Sequence, residues 1–194
     1  MQPVPGPRQR SGVVIPLRAF ASGKARLASV LDDAQRGELA TMMANCVVAA
    51  AGELPIVVVS SAPEVQAWAD VNGLDVIDDP GTGLDGAASE GGAFLRDRYF
   101  ERIIVVHADL PRARPAALLP FAEIDVGTVA IVPAHRDEGT PVLSVPANPP
   151  FPYSYGIGSA PRHAMLAREL GFAVEIIHDP ELGYDVDLPE DLIS

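Results

Sequence analysis

Short runs of β-branched residues recur along this chain, each separated from the next by a stretch with helical spacing. Residues 13–17, 56–60, 75–77, 103–106, 129–132 and 174–177 read as strands, and 142–145 as a further one. Between them Leu39, Met42, Met43, Cys46, Val47 and Ala50 follow the three-four rhythm of an amphipathic helix that begins near Leu31. Asp32 or Asp33 is its candidate cap and Gly52 its end. Pro63 suits the first position of a helix reaching Asn72. Residues 84–99 and 160–170 carry two more helices, and Pro189 opens a last short one. Strands this uniformly apolar are covered on both faces, so the pattern predicts an α/β sandwich with a mostly parallel sheet. Such sheets bind ligands beyond the carboxyl ends of their strands. The loops after the first, third and fourth strands, which carry Lys24, Asp85 and Asp109, are therefore where function is expected.

With 194 residues and 48% hydrophobic content the chain has material for one full core. We expect a single domain over 13–194, preceded by a flexible arm, 1–12, that holds three prolines and two arginines and lacks the apolar centre of a signal peptide. The longest apolar stretch, 46–51, is far too short to span a membrane. Cys46 is the single cysteine and has no internal partner, so a cytoplasmic location is expected. A net charge of −12 repels duplex nucleic acid and anionic membranes, and a nucleotide would need a local positive site. One cysteine and four scattered histidines give no zinc spacing. His107, His135 and His178 read as structural.

The local positive site is found after the first strand, where Arg18, Lys24 and Arg26 lie in a loop leading to a helix. Lys24 is the only lysine among fourteen cationic residues. Two cations at such a place neutralise phosphate charge, or simply solvate a helix start, and Gly23 together with the preceding strand makes the two readings even. Asp109 ends a hydrophobic strand ahead of Leu110-Pro111 and reads either as a Mg²⁺ ligand or as a turn former. Asp185 and Asp187 alternate on an extended segment, so both carboxylates share one face. Asp187 is thus a second metal candidate, with N-capping of the Pro189 helix a strong alternative. The turn Gly81-Thr82-Gly83-Leu84-Asp85 can bring backbone N–H groups to a base or phosphate. Thr140, Gly156, Gly158 and Ser159 supply donors near a helix start, where Arg162 and His163 can assist in holding an anion. No P-loop spacing and no nucleophile motif is present.

Taken in order, these motifs resemble the 2-phospholactate or phosphoenolpyruvate guanylyltransferase family of coenzyme F420 biosynthesis. The resemblance runs from Val13 to Leu192. It rests on Ile15-Pro16 through Lys24-Ala25-Arg26-Leu27-Ala28, on Pro80-Gly81-Thr82-Gly83-Leu84, and on Ala108-Asp109-Leu110-Pro111. Gly139-Thr140, Tyr155-Gly156-Ile157-Gly158-Ser159 with His163, and Asp185-Val186-Asp187 with Pro189-Glu190-Asp191-Leu192 complete it. It implies a three-layer α/β sandwich with a central, mostly parallel mixed sheet, the Rossmann-like (GT-A-like) fold of small nucleotidyltransferases. It implies GTP and a small phospho-acid as partners, no nucleic acid or membrane, and Mg²⁺ held by Asp109 with Asp187. A homodimer is compatible with it. Lys24 and Arg26 then serve the GTP phosphates and, with Asp109, catalysis; Gly83 and Asp85 face the nucleotide; Thr140, Gly156 and Ser159 hold the acid. The acid's phosphate attacks the α-phosphorus and expels pyrophosphate. A phosphate monoester is mostly dianionic at neutral pH, so no general base is required. Three departures stand out: Asp85 where the family has Asn, Pro141 where it has a small polar residue, and Arg18 for a lysine. Asp85 leaves the base open and Pro141 the acid. Two other readings follow, a related enzyme with another nucleotide or acceptor, and a catalytically silent nucleotide-binding protein.

Overall fold

The computed structural model describes residues 10–20 and 24–192. The greater part of the expected arm, residues 1–9, and Gly23 lie outside them. Seven strands form one sheet: β1 (Ser11–Pro16), β2 (Ile56–Val59), β3 (Asp75–Ile77), β4 (Arg102–Val106), β5 (Thr128–Val132), β6 (Val142–Pro146) and β7 (Ala173–Ile176). Their order is β3-β2-β1-β4-β6-β5-β7. All neighbours are parallel except β6, which runs antiparallel to both β4 and β5. The mostly parallel mixed sheet expected from the sequence is what forms.

Helices cover both faces because strand residues alternate between them. Val14, Val57, Val59, Val105 and Ile131 pack with residues of α3 (Leu84–Arg96) and α5 (Ser159–Glu169). Val13, Ile15, Ile104, Val106 and Val132 pack with α1 (Asp33–Ala51) and with α4 (Leu119–Ala122). Val58 meets α1 and α2 (Pro63–Val71). Each fully buried Val or Ile contributes about 1.5–3 kcal/mol, which is why these runs, rather than any polar contact, fix the layers. α3 lies directly on β1. A Cβ on Gly91 would come within 2.3 Å of Val14 Cγ1, so only glycine lets the helix sit this close.

Asp32, rather than Asp33, caps α1 in a reciprocal capping box with Gln35. β1 starts two residues before the expected boundary. Ser11 and Gly12 are buried: the Ser11 hydroxyl donates to the Ala122 carbonyl, and Gly12 leaves room for Leu95 and Phe100. α3 stops at Arg96, earlier than expected, and Tyr99 takes a left-handed φ of 63° after it. The Pro189 helix is a 3-10 turn, Pro189–Leu192. No helix among the described residues is long and apolar enough to cross a membrane.

Arg102 is the largest side chain that is fully buried. Its guanidinium donates to Ser144 Oγ at 3.0 Å and to the carbonyls of Asp125 (2.5 Å) and Thr128 (3.0 Å), tying β4 to the turn that enters β5. Burial pushes its pKa down to about 10, partly offset by Asp125, so it stays charged at neutral pH. Arg102→Leu leaves these acceptors without their donor. Urea unfolding is expected to show a loss of about 2–4 kcal/mol, and a change below 1 kcal/mol would contradict this account.

Candidate functional site

The parallel strands β1 and β4 end on one side of the sheet, at Pro16 and Val106. β6 runs the other way, so its first residue, Val142, pairs with Val106 at the same end. The segment preceding β6, with Gly139, Thr140 and Pro141, therefore meets the segments following β1 and β4. Together they enclose a cavity of about 440 Å³.

One wall carries charge. Lys24 adopts a left-handed conformation (φ 58°) and leads into a 3-10 turn, Ala25–Leu27. Leu27 is buried against Met43 and Val186. Burial of Val186 turns its neighbours Asp185 and Asp187 the opposite way, and both line the cavity. The Val186 N–H also donates to the Asp109 carbonyl at 3.3 Å, which joins this extended segment to the loop after β4. These backbones set the Lys24 ammonium between two carboxylates, 2.5 Å from Asp109 Oδ2 and 2.8 Å from Asp187 Oδ1. Arg26 is largely exposed, with its guanidinium 3.7 Å from Asp187 Oδ2.

The charges on this wall hold one another. Burial alone would lower the Lys24 pKa, but Asp109 and Asp187 more than offset it and the ammonium is held above the usual lysine value. Burial would likewise raise Asp109, and Lys24, followed by His107, brings it below the usual carboxylate range. Asp185 has no such counterion. Burial, then the negative charges of Asp109 and Asp187, push it up to about 6. The capping alternative for Asp187 is taken by another residue: Asp191 Oδ2 accepts from the N–H groups of Asp187 and Leu188. Asp187 is thereby left to face Lys24. His107, which spacing alone reads as structural, lines the cavity, and its buried Nε2 has no partner among the described residues.

The opposite wall carries hydroxyls beside one carboxylate, Asp137, whose Oδ1 accepts from the Gly139 N–H at 2.9 Å. Thr140, Ser159 and His163 are fully buried and joined in sequence: Thr140 Oγ1 lies 2.7 Å from Ser159 Oγ and 3.0 Å from His163 Nδ1. Arg162 does not face an anion. Its guanidinium donates to the carbonyls of Ser154, Tyr155 and Ile157 and to Ser154 Oγ, and so shapes the loop that presents Gly156 (φ 110°).

Lys24, Arg26, Asp109, Asp187, Thr140, Gly156 and Ser159 thus come together around one cavity. Gly83 lines a neighbouring one of about 330 Å³ that shares Arg18 and Ala19 with the first. Asp85 lines neither. Its Oδ1 accepts from the Tyr155 N–H at 2.6 Å and braces the Gly156 loop from the start of α3. The oxygen of an asparagine would accept the same bond, less strongly than a carboxylate. Asp185, read from the sequence as sharing a face with Asp187 but given no role, and His107, read as structural, are both cavity residues. The alternation with Asp187 was the available signal for the first, and nothing in the spacing announces the second.

The chain matches the family described as "Guanylyl transferase CofC like" over residues 11–194. It is 34% identical to a phosphoenolpyruvate guanylyltransferase of Conexibacter woesei, an alignment covering 92% of this chain and 84% of that one. It is 31% identical to a 3-phospho-D-glycerate guanylyltransferase of Phenylobacterium zucineum, over 93% of this chain and 87% of the other. Among solved structures, a nucleotidyl transferase of Methanothermobacter superposes with a TM-score of 0.66 at 19% identity, covering 94% of both chains. The fold is therefore that of the nucleotidyltransferases.

Proposed function

Because the chain belongs to the CofC-like guanylyl transferase family, we propose that it transfers GMP from GTP to the phosphate of a small phospho-acid, releasing pyrophosphate, in coenzyme F420 biosynthesis. Its relatives are named for phosphoenolpyruvate and for 3-phospho-D-glycerate, and these two with 2-phospholactate form the acceptor set. The observation that carries the reading is the pairing of walls: an ammonium between two carboxylates on one side and hydroxyls beside a helix start on the other.

A phosphate dianion attacking a triphosphate faces repulsion, not a lack of nucleophilicity. Lys24 and Arg26 lower that repulsion by placing positive charge beside the phosphates. Thr140, Ser159 and the backbone at Gly156 hold the acid so that its phosphate oxygen lines up with the α-phosphorus. The donor set fits a divalent cation. Asp109 and Asp187 offer hard oxygen ligands, and Asp109 Oδ1 is buried with no hydrogen-bond partner among the described residues. Two carboxylates suit Mg²⁺, whose shell is commonly completed by substrate phosphates and water. When bound there, Mg²⁺ supplies charge neutralisation of the triphosphate.

Mass spectrometry of the products from GTP, Mg²⁺ and each of the three acids tests the proposal. A guanosine diphosphate ester of at least one acid is expected, with pyrophosphate in equal amount. Failure of all three acids with GTP would sink it, and turnover only with another nucleotide would move the chain to a different nucleotidyl transfer.

A further inference from the structure

We propose that His163 is a positioning residue whose tautomer sets the hydrogen bonding of a buried group, His163, Thr140 and Ser159, so that one hydroxyl hydrogen of the Thr140–Ser159 pair is left to donate toward an anionic acceptor substrate. The inference rests on the reading of this wall as the phospho-acid side of the cavity.

The tautomer follows from one backbone group. The Ser154 N–H lies 3.0 Å from His163 Nε2, and a backbone N–H can only donate. Nε2 is therefore the bare nitrogen, and the ring proton sits on Nδ1. Nδ1–H donates to Thr140 Oγ1 at 3.0 Å. Thr140 and Ser159 then share one hydrogen bond of 2.7 Å in which either hydroxyl can donate, because each oxygen still has a lone pair to offer. Whichever way that bond runs, one of the two hydroxyl hydrogens is left with no protein acceptor among the described residues. Thr140 and Ser159 are both lining residues of the cavity, and Ser159 opens α5. All three residues are buried, which strengthens the bonds between them.

The ring is held in this orientation. Tyr155 packs edge-on at 4.9 Å between centroids and Phe151 at 5.9 Å. Burial, then the charge of Arg162, lowers the His163 pKa to about 4, so the ring is neutral throughout the working range and the tautomer is the variable that matters. In the reverse tautomer Nδ1 would accept, both hydroxyls would turn inward, and the wall would present lone pairs to the substrate's negative charge.

Two measurements test this. The first is ¹⁵N spectroscopy of histidine-labelled wild-type protein, which reports the ring proton of His163 without any variant or turnover. A proton on Nδ1 is expected from pH 6 to 8, and a proton on Nε2 overturns the proposal. The second compares His163→Asn with His163→Gln, using calorimetric affinity for phosphoenolpyruvate together with steady-state kinetics. Asparagine can place an N–H near the Nδ1 position, whereas the longer glutamine reaches the Ser154 side. His163→Gln is expected to weaken phosphoenolpyruvate binding by about 10-fold to 100-fold, the range for losing one oriented donor to a charged acceptor, with kcat and the KM for GTP changed less than about 3-fold. His163→Asn is expected to recover most of that affinity. Equal affinities in the two variants, or loss of GTP and acid binding together, would reduce His163 to a packing residue. If wild type binds the acid but transfers no GMP, the catalytic reading fails while the tautomer and affinity results still decide this one.

Discussion

Asp109→Asn is expected to lower kcat/KM for guanylyl transfer by about 1,000-fold or more, with the chain still folded. The substitution keeps the shape and removes one negative charge, so it isolates what that charge does. Asp109 lies in the loop after β4, and its two oxygens face different ways: Oδ2 toward Lys24, Oδ1 into a buried position without a hydrogen-bond partner among the described residues. A neutral amide binds Mg²⁺ weakly and turns an N–H toward either the metal or the Lys24 ammonium. Losing a charge that orients both cations of the phosphate site costs about 4 kcal/mol in the transition state, which sets the expected factor. Steady-state rates at saturating Mg²⁺ check it, and a loss under 10-fold would remove Asp109 from the machinery. Stability gives a second, independent reading. The folded pKa of Asp109 lies below the usual range, chiefly because Lys24 overcomes the effect of burial. Its ionisation therefore stabilises the fold above the unfolded carboxylate value near pH 3.9, and that contribution fades as pH falls through the lower folded value. Wild type and Asp109→Asn should accordingly differ most in stability near neutral pH and converge in acid.

How much of this was legible beforehand depends on how local each signal is. The strands at 56–59 and 102–106 were readable because β-branched side chains record burial on both faces of the sheet. Ser11 and Gly12 were missed because their burial comes from a hydroxyl bond to Ala122 and from space left for Leu95, not from apolarity. The 3-10 turn at 25–27 and the four-residue α4 are too short to show any period. The site was harder. Lys24 meets Asp109 and Asp187 across 85 and 163 residues of chain, a relation no spacing rule contains; motif order brought these residues into one hypothesis. The same order assigned Asp85 to the nucleotide, yet its carboxylate is engaged by a backbone N–H 70 residues away. A side chain's type and place in a motif show what it can bond to, while only the packing of other loops decides which partner arrives.

Lys24→Met should lower kcat/KM by about 100-fold to 1,000-fold and, unlike Asp109→Asn, make the protein's stability depend on divalent metal. The catalytic part follows from position. The ammonium is nearly buried and touches both carboxylates, so it is the fixed positive charge nearest to where Asp109 and Asp187 would bring a triphosphate. Arg26, largely exposed, is screened by water and cannot replace it. The stability part follows from what methionine leaves behind. Asp109, Asp185 and Asp187 line the same wall, and Asp185 is already pushed up to about 6 by burial and by its two neighbours. Removing the one ammonium among them leaves partly buried negative charge uncompensated, a loss of about 2–4 kcal/mol at neutral pH. In wild type the folded pKa of Lys24 is raised, so its contribution is complete below about pH 10.4 and disappears only as pH rises through the folded value. The penalty in Lys24→Met should instead shrink in acid, where the carboxylates protonate. Mg²⁺ bound between Asp109 and Asp187 would replace the missing charge, and it stabilises the folded state by mass action. Thermal unfolding with and without Mg²⁺ should therefore show a larger rise in Tm for Lys24→Met than for wild type, in which Lys24 already neutralises the same oxygens. An equal rise in both proteins would mean that lysine and metal do not share these ligands, and that Lys24 meets the phosphates without leaving its carboxylates.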